Sequence, residues 1–334
     1  MSTNICYLKL THCRTHIVAA VSVIVVYTLS GLTSCSNESE KRSDTGSSGV
    51  RYSFFVAGHV YGKTSNRYKA DEKYDGRLHP PFREHFGLIR SNPRIEFGVF
   101  SGDIVKNATS ENWDQVDRDV SELGVPVHFA VGNHDVSDRD LYESRYGRTY
   151  YSFNHGSDLF VALDPNLDHW NISGLQLSFL REVLADLDSV TNLFVICHQL
   201  LWWDSTNRFA EVKPNSTDNR ADSVNFWSTV EPILRGVNHP VYLFAGDIGA
   251  HPSWRSCMYY QYENITLIAS GMGGGTEDNF VITNIMDDGS VTFELVALNG
   301  DDVGALGKLE DHPPSEDIFD LVRDFWTRLW TTGS

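Results

Sequence analysis

Phe54-Phe55-Val56-Ala57-Gly58-His59 sets a pattern that recurs four more times: a short apolar run stops at a glycine or another small residue, and a side chain able to bind metal follows. The repeats are Val99-Phe100-Ser101-Gly102-Asp103, Phe129-Ala130-Val131-Gly132-Asn133-His134-Asp135, Phe194-Val195-Ile196-Cys197-His198 and Leu243-Phe244-Ala245-Gly246-Asp247. Short runs rich in Val, Ile and Phe read as buried strands. In open α/β sheets, ligands bind just beyond the carboxyl ends of the strands. The pattern therefore predicts that His59, Asp103, Asn133, His134, His198 and Asp247 gather at one end of one sheet. Any single junction is explained as well by a polar residue capping a strand, but five together point to a site. A mixed nitrogen and oxygen donor set suits Mn, Zn or Fe better than Ca or Mg, so a divalent metal is the expected cofactor.

Working outward, residues 80–89 read as a helix with prolines in its first turn. Residues 111–123 and 175–187 carry apolar side chains at helical spacing and alternate with strands near 126–131, 159–163 and 192–197, which argues an α/β build. The C-terminal third changes character. Residues 265–269, 280–286 and 290–298 read as strands, the last two joined by the hairpin signal Asp287-Asp288-Gly289. Gly271-Met272-Gly273-Gly274-Gly275 reads as an inter-strand loop, because no helix follows it as a phosphate-cradling loop requires. Trp202-Trp203, just past His198, either pack an irregular loop or offer rings that stack on a sugar or base. Residues 315–330 read as an amphipathic helix with a mixed-charge polar face.

The order and spacing of the five junctions resemble the calcineurin-like metallophosphoesterase superfamily, whose pattern is Asp-x-His, Gly-Asp, Gly-Asn-His-Asp/Glu, a lone His after a strand, and Gly-His-x-His. Gly102-Asp103 and Gly132-Asn133-His134-Asp135 match outright, and His198 matches by position. The resemblance implies a two-sheet mixed β-sandwich flanked by helices, an α/β four-layer fold. It also implies that Asp103 bridges two ions, that Asn133 and His198 complete the second ion's shell, and that His134, steadied by Asp135, acts on the reacting phosphate.

The first and last blocks depart from that pattern together. Ala57 stands where the family has its first Asp, and Gly246-Asp247-Ile248-Gly249 stands in place of Gly-His-x-His. By the resemblance, Ala57 and Gly249 remove two ligands of the first metal only, leaving it His59 and a share of Asp103. The second keeps Asp103, Asn133, His198 and Asp247, carboxylate for imidazole being a tolerable exchange. One ion is the expectation, with two if His251 or an acid from 71–75 repairs the first site. Replacing a neutral ligand by Asp247 lowers the positive charge of the site, favouring metal and disfavouring an anionic phosphate.

Lys9 and Arg14 precede an apolar stretch over 17–32 that is too short for a spanning helix, followed by Leu32-Thr33-Ser34-Cys35. This looks like a bacterial lipobox and implies a leader over 1–34 and lipid on Cys35. Residues 35–50 are polar and read as a flexible tether, 51–300 as the metallophosphoesterase-like domain and 301–334 as an extension. The expected location is extracytoplasmic and lipid-anchored, at the outer membrane or cell surface. Loss of the leader removes Lys9 and Arg14 and no acid, taking the formal charge from −17 to about −19. So acidic a chain argues against nucleic acid as a partner. Cys197 and Cys257 would remain in the mature chain; a disulfide between them is compatible with that compartment but not indicated by the sequence. A serine hydrolase finds little support, since the sequence has no Gly-x-Ser-x-Gly elbow.

These residues together predict an enzyme, a metal-dependent phosphoric ester hydrolase. His134, Asp135 and His59 are its catalytic candidates, and Asp103, Asn133, His198, Asp247 and His59 its metal ligands. Its substrate would be a phosphorylated small molecule or glycan, with the membrane contacted through the N-terminal lipid. The competing expectation is a non-catalytic, metal-containing surface lipoprotein that binds a glycan or protein partner, for which Ala57 and Gly249 speak.

Overall fold

Alternation along the first strand, β1 (Val50–Ala57), builds the molecule on both of its faces. Tyr52, Phe54 and Val56 point one way into a cluster between two sheets, while Phe55 and Ala57 point the other way into a second cluster under helices. Period-two alternation with both faces apolar is the signature of a strand buried on both sides. The computed structural model describes residues 49–62, 74–251 and 253–315. The leader, most of the tether, residues 63–73 and all but the first residue of the segment 315–330 read as an amphipathic helix lie outside the described residues.

The first sheet has the order β11-β10-β1-β2-β3. Here β2 is Ile95–Ser101, β3 Val127–Ala130, β10 Asn279–Met286 and β11 Val291–Ala297. β1, β2 and β3 run parallel, and β10 and β11 pair antiparallel on the far side. The second sheet has the order β4-β5-β6-β7-β9-β8. Its strands are β4 (Tyr151–His155), β5 (Asp158–Ala162), β6 (Asn192–Cys197), β7 (Val241–Ala245), β8 (Cys257–Tyr262) and β9 (Ile265–Ser270). β5, β6, β7 and β9 run parallel between antiparallel edges.

Between the sheets lies an aromatic core. Phe54 meets Phe160 and Phe194 edge-on, each at 5.1 Å, and those two rings stack at 4.8 Å. Offset and edge-on pairs of this kind are the favoured geometries of buried rings. Helices cover the outer faces. α1 (Pro80–Glu84), α2 (Phe86–Ser91), α3 (Ser110–Leu123) and α4 (Arg139–Tyr146) supply Phe82, Phe86, Trp113 and Tyr142 to the cluster on the first sheet. α5 (Gly174–Val183) and α6 (Glu231–Arg235) supply Leu180 and Leu234 to the cluster on the second. The four-layer α/β sandwich is the fold expected. No helix among the described residues is long and apolar enough to cross a membrane.

Some elements differ from expectation. The helix read over 80–89 is two, broken at His85, whose Nδ1–H donates to Pro81 O at 2.8 Å. β4, β8 and α4 carry no long apolar run and were not foreseen; α4 starts where the Asp138 side chain accepts the Leu141 N–H. Among the described residues after 300, Leu309 is buried in the inter-sheet core. Cys197 and Cys257 are both free and buried.

Candidate metal centre

All five apolar runs end at one edge of the sandwich, but from two sheets rather than one. His59, Asp103, Asn133 and His134 follow β1, β2 and β3, while His198 and Asp247 follow β6 and β7 of the facing sheet. The expectation of a single sheet is thereby corrected: a pair of sheets closes on the site from both sides, and glycines are what let it close. A Cβ on Gly58 would lie 2.4 Å from Gly246 Cα, and one on Gly246 would lie 2.0 Å from Ser101 O. A Cβ on Gly102 would meet the His198 ring at 2.5 Å, and one on Gly132 would meet Asp103 Oδ1 at 2.2 Å. At four of the five junctions the glycine before the polar residue is thus a space requirement.

His59 and Asp103 themselves adopt φ of 53° and 54°, a left-handed conformation that side-chain-bearing residues seldom take. The His59 N–H donates to Gly102 O at 3.0 Å and the Tyr61 N–H to Asp103 O at 3.1 Å, tying the two turns to each other. Conformations of this cost persist where surrounding structure over-determines them, commonly at functional sites.

His59, Asp103, His198 and Asp247 are all buried. His198 Nδ1–H donates to Ser101 O at 3.0 Å, which leaves Nε2 as the nitrogen that faces the two acids. That atom lies 3.3 Å from Asp103 Oδ1 and 3.6 Å from Asp247 Oδ1, and it has no hydrogen-bond partner. Burial opposes charge on His198, yet the two carboxylates lift it to about 10. Burial also pushes Asp247 up to about 8, with the charge of Asp103 adding to it and His198 working against it. Burial works against ionisation of Asp103 too, but His198 and His59 hold it below the usual carboxylate range. Burial lowers His59 to about 4. His198 Nε2 and one oxygen from each acid would serve a cation as ligands on giving up the protons that His198 and Asp247 hold in its absence.

The donor set fits a divalent metal. In a tetrahedral shell with bonds of about 2.0–2.2 Å, ligand atoms stand roughly 3.3–3.6 Å apart, which is the spacing around His198 Nε2. Among the described residues, no group of three or more His, Cys, Asp or Glu side chains is placed to hold a metal ion by itself. Closure here would call on Asn133, an amide that lines the adjoining cleft.

That cleft, about 210 Å³, is lined by His59, Tyr61, Tyr74, Asp103, Lys106 and His134 on one side and by Asn215, Ser216 and Asp247 on the other. His134 is half-buried; its N–H donates to Asp103 Oδ1 at 3.2 Å and its Nδ1–H to Lys106 O at 2.8 Å. Asp135 does not steady His134, as the resemblance implied. It is fully buried away from the cleft, where Oδ1 accepts from the Ile104 and Val105 N–H groups at 2.7 and 2.9 Å and Oδ2 from Gly132 N–H at 2.7 Å. Successive side chains in a tight turn diverge, so Asp135 locks the loops after β2 and β3 together instead. Burial and the charge of Asp103 raise it to about 7.

Neither described candidate for repairing the first site reaches the cleft. His251 is exposed and stacks on Trp254, and Asp75 is exposed and accepts from Arg77 N–H. At Gly249, φ is 86° and an added Cβ would lie 2.9 Å from Ser256 Oγ, so the loop leaves no room for a ligand side chain there. Several cleft residues carried no strand-end signal, and two of them adjoin the candidate ligands. Tyr61 is the first, and Asn215, whose N–H donates to Asp247 O at 2.9 Å, is the second. The glycine loop 271–275 supports the site from behind, since Met272 O accepts from His59 Nδ1 at 2.7 Å, and its Gly274 and Gly275 amides donate to Asp278. Trp202 is core, whereas Trp203 lines a larger groove of about 720 Å³ with Phe209, Trp227 and Tyr260. That groove shares no lining residue with the cleft and contains no histidine, so its size does not make it the reactive site.

The family model described as calcineurin-like phosphoesterase matches residues 75–271. No curated protein matches the chain. Similar solved structures include a conserved Streptococcus pneumoniae TIGR4 protein described as a predicted phosphoesterase, 11% identical over 79% of this chain and 92% of that one, with a TM-score of 0.32. A putative 5′-nucleotidase from Staphylococcus aureus in complex with α-ketoglutarate is 11% identical over 84% of this chain, with a TM-score of 0.38, and this chain spans only 58% of its length. A Vps29 from Entamoeba histolytica complexed with Zn²⁺ is 12% identical over 74% of this chain and 99% of that one, with a TM-score of 0.28.

Proposed function

From the premise that this chain belongs to the calcineurin-like phosphoesterase family, whose model covers residues 75–271, we propose that it hydrolyses a phosphomonoester or phosphodiester with a divalent metal, outside the cytoplasm and anchored by lipid on Cys35. One observation carries the chemistry. His198 Nε2, buried and without a partner, faces Asp103 and Asp247 at the floor of a cleft whose wall holds His134, Lys106 and Tyr61.

In this reading Asp103, Asn133, His198 and Asp247 hold the ion. When bound, it supplies Lewis acidity toward the phosphoryl oxygens and acidifies water. The protein's own groups do the rest. Lys106, exposed at the cleft, draws in the anionic phosphate that an acidic surface would otherwise repel. His134, its Nδ1–H fixed on Lys106 O, turns Nε2 to the cleft, where that nitrogen takes up a proton from solvent water and passes it to the leaving oxygen. Asp135 keeps the loops that carry Asp103 and His134 in register. A volume near 210 Å³ is below the roughly 300–1,000 Å³ of pockets that enclose drug-sized ligands. The phosphoryl end therefore enters and the leaving group stays in solvent, which suits a phosphorylated small molecule or glycan.

The competing reading is a surface lipoprotein that keeps a structural metal and binds a glycan or protein, and Ala57 and Gly249 favour it. The two separate by counting metal on full-length protein and following nitrophenol release from mono- and diester substrates with Mn, Zn or Fe. Turnover is expected, falling about 10²- to 10⁴-fold in His134→Ala with the metal retained. Bound metal without turnover of either ester would favour the binding protein.

A further inference from the structure

The Tyr61 hydroxyl lies 3.0 Å from His59 Nε2 and 3.4 Å from His134 Nε2. Each imidazole gives its Nδ1–H to a backbone carbonyl, Met272 O at 2.7 Å and Lys106 O at 2.8 Å, so each turns an Nε2 lone pair toward the same phenol. One O–H serves one lone pair, so the trio is a donor short, and Asp103 Oδ2 adds a further acceptor 3.6 Å from His59 Nε2. Asp103 meanwhile sends its two oxygens to different histidines, Oδ1 to His198 and Oδ2 to His59. Two groups of acceptors thus flank one carboxylate. The group on the His198 side has Asp247. The group on the His59 side has no second acid, and Ala57 and Gly249 bring none.

We propose that Tyr61 is a metal ligand, and that its phenol oxygen, His59 Nε2 and Asp103 Oδ2 hold a second divalent cation in place of the ligands missing at Ala57 and Gly249. The inference rests on the metal-dependent reading above and deepens it. Phenol oxygen, imidazole and carboxylate form the kind of mixed set that borderline metals take. The tyrosine arm is longer than an aspartate's and reaches back to the His59 ring from the next turn of chain, with its backbone anchored by the Tyr61 N–H to Asp103 O bond of 3.1 Å. Coordination replaces the Oη–H bond by an Oη–cation bond and releases the proton to water at the open mouth of the cleft. The anionic oxygen lost with the family's first Asp is restored by another, so a neutral residue at position 57 no longer implies a one-ion site.

The test strips full-length protein with chelator, reloads it with zinc alone, counts ions per chain by plasma mass spectrometry and records the near-ultraviolet difference spectrum of tyrosine. Wild type is expected to hold two ions and show the tyrosine band. Tyr61→Phe is expected to hold one and show no band, the retained ion also reporting that the variant is folded. Asp247→Asn should lose the other ion and keep the band. A wild type with one ion, a Tyr61→Phe variant with two, or no tyrosine band on loading overturns Tyr61 as a ligand while leaving the one-metal reading intact. A wild type that binds no zinc, nor manganese or iron when each is supplied in its place, overturns the metal-dependent reading itself.

Discussion

Gly132 shows how a residue without a side chain shapes the candidate site. Its Cα faces Asp103 so closely that an added Cβ would meet Oδ1 at 2.2 Å and the backbone nitrogen at 2.3 Å, and a backbone atom cannot rotate away. Gly132→Ala should therefore shift Asp103, lower bound metal and cut turnover on the order of 10²-fold, the cost of about 1 Å of misplacement at a reacting centre. Full metal content and activity in that variant would sink the proposed role of Asp103. At this scale the sequence was informative wherever function and backbone geometry coincide, because a glycine next to an acid or histidine at a strand end records both the tight approach and the ligand. It did not single out Tyr61 within the polar stretch after His59, because the tyrosine reaches the cleft through the left-handed turn at His59, a conformation that no local pattern announces. It misled on Asp135, since adjacency to His134 suggested a dyad, whereas the structure spends that carboxylate on three backbone N–H groups.

Strands show the same division. β1, β6 and β7, apolar on both faces, were legible from a few residues each, because only burial between two layers produces such runs. The edge strand β4 alternates half-exposed aromatic and polar residues, and β8 follows buried Cys257 and Met258 with mostly half-exposed tyrosines; neither carries the apolar run of a central strand. The edge of the first sheet also carries a pH liability. On β3, His128 stacks on Phe153 at 3.7 Å and 12°, with Phe97 edge-on at 5.7 Å. Burial, then repulsion from His155, lowers its affinity for a proton below that of a free histidine at 6.5. A folded-state value below the unfolded one means that the unfolded chain binds the proton better. The stability contributed by neutral His128 is therefore complete above about pH 6.5 and is lost as pH falls beneath it. Denaturant midpoints measured between about pH 7.5 and 5 should decline less in His128→Phe than in wild type; parallel declines would show that His128 does not contribute.

For the whole molecule, the question is why a chain of net charge −17 would bury two more acids, Asp103 and Asp247, at the meeting of its sheets. Uncompensated, they weaken the fold: the site then has to hold a proton on His198 and leave Asp247 partly protonated, and each arrangement costs desolvation without a full partner. A bound cation removes that cost and joins loops from both sheets, so metal binding and sandwich stability should be linked. An ion present at about a thousandfold its Kd contributes roughly 4 kcal/mol to the folded state, which for a domain of this size is on the order of 10 °C in Tm. Chelation should lower the melting temperature by about that amount, and zinc, manganese or iron should restore it. High salt should not substitute, because screening acts on exposed charges and these are buried. The size of the drop in Tyr61→Phe relative to Asp247→Asn then apportions the linkage between the two sides of Asp103. Equal melting curves with and without chelator would mean that the two sheets meet without help from metal, and that the buried acids are balanced by protons alone.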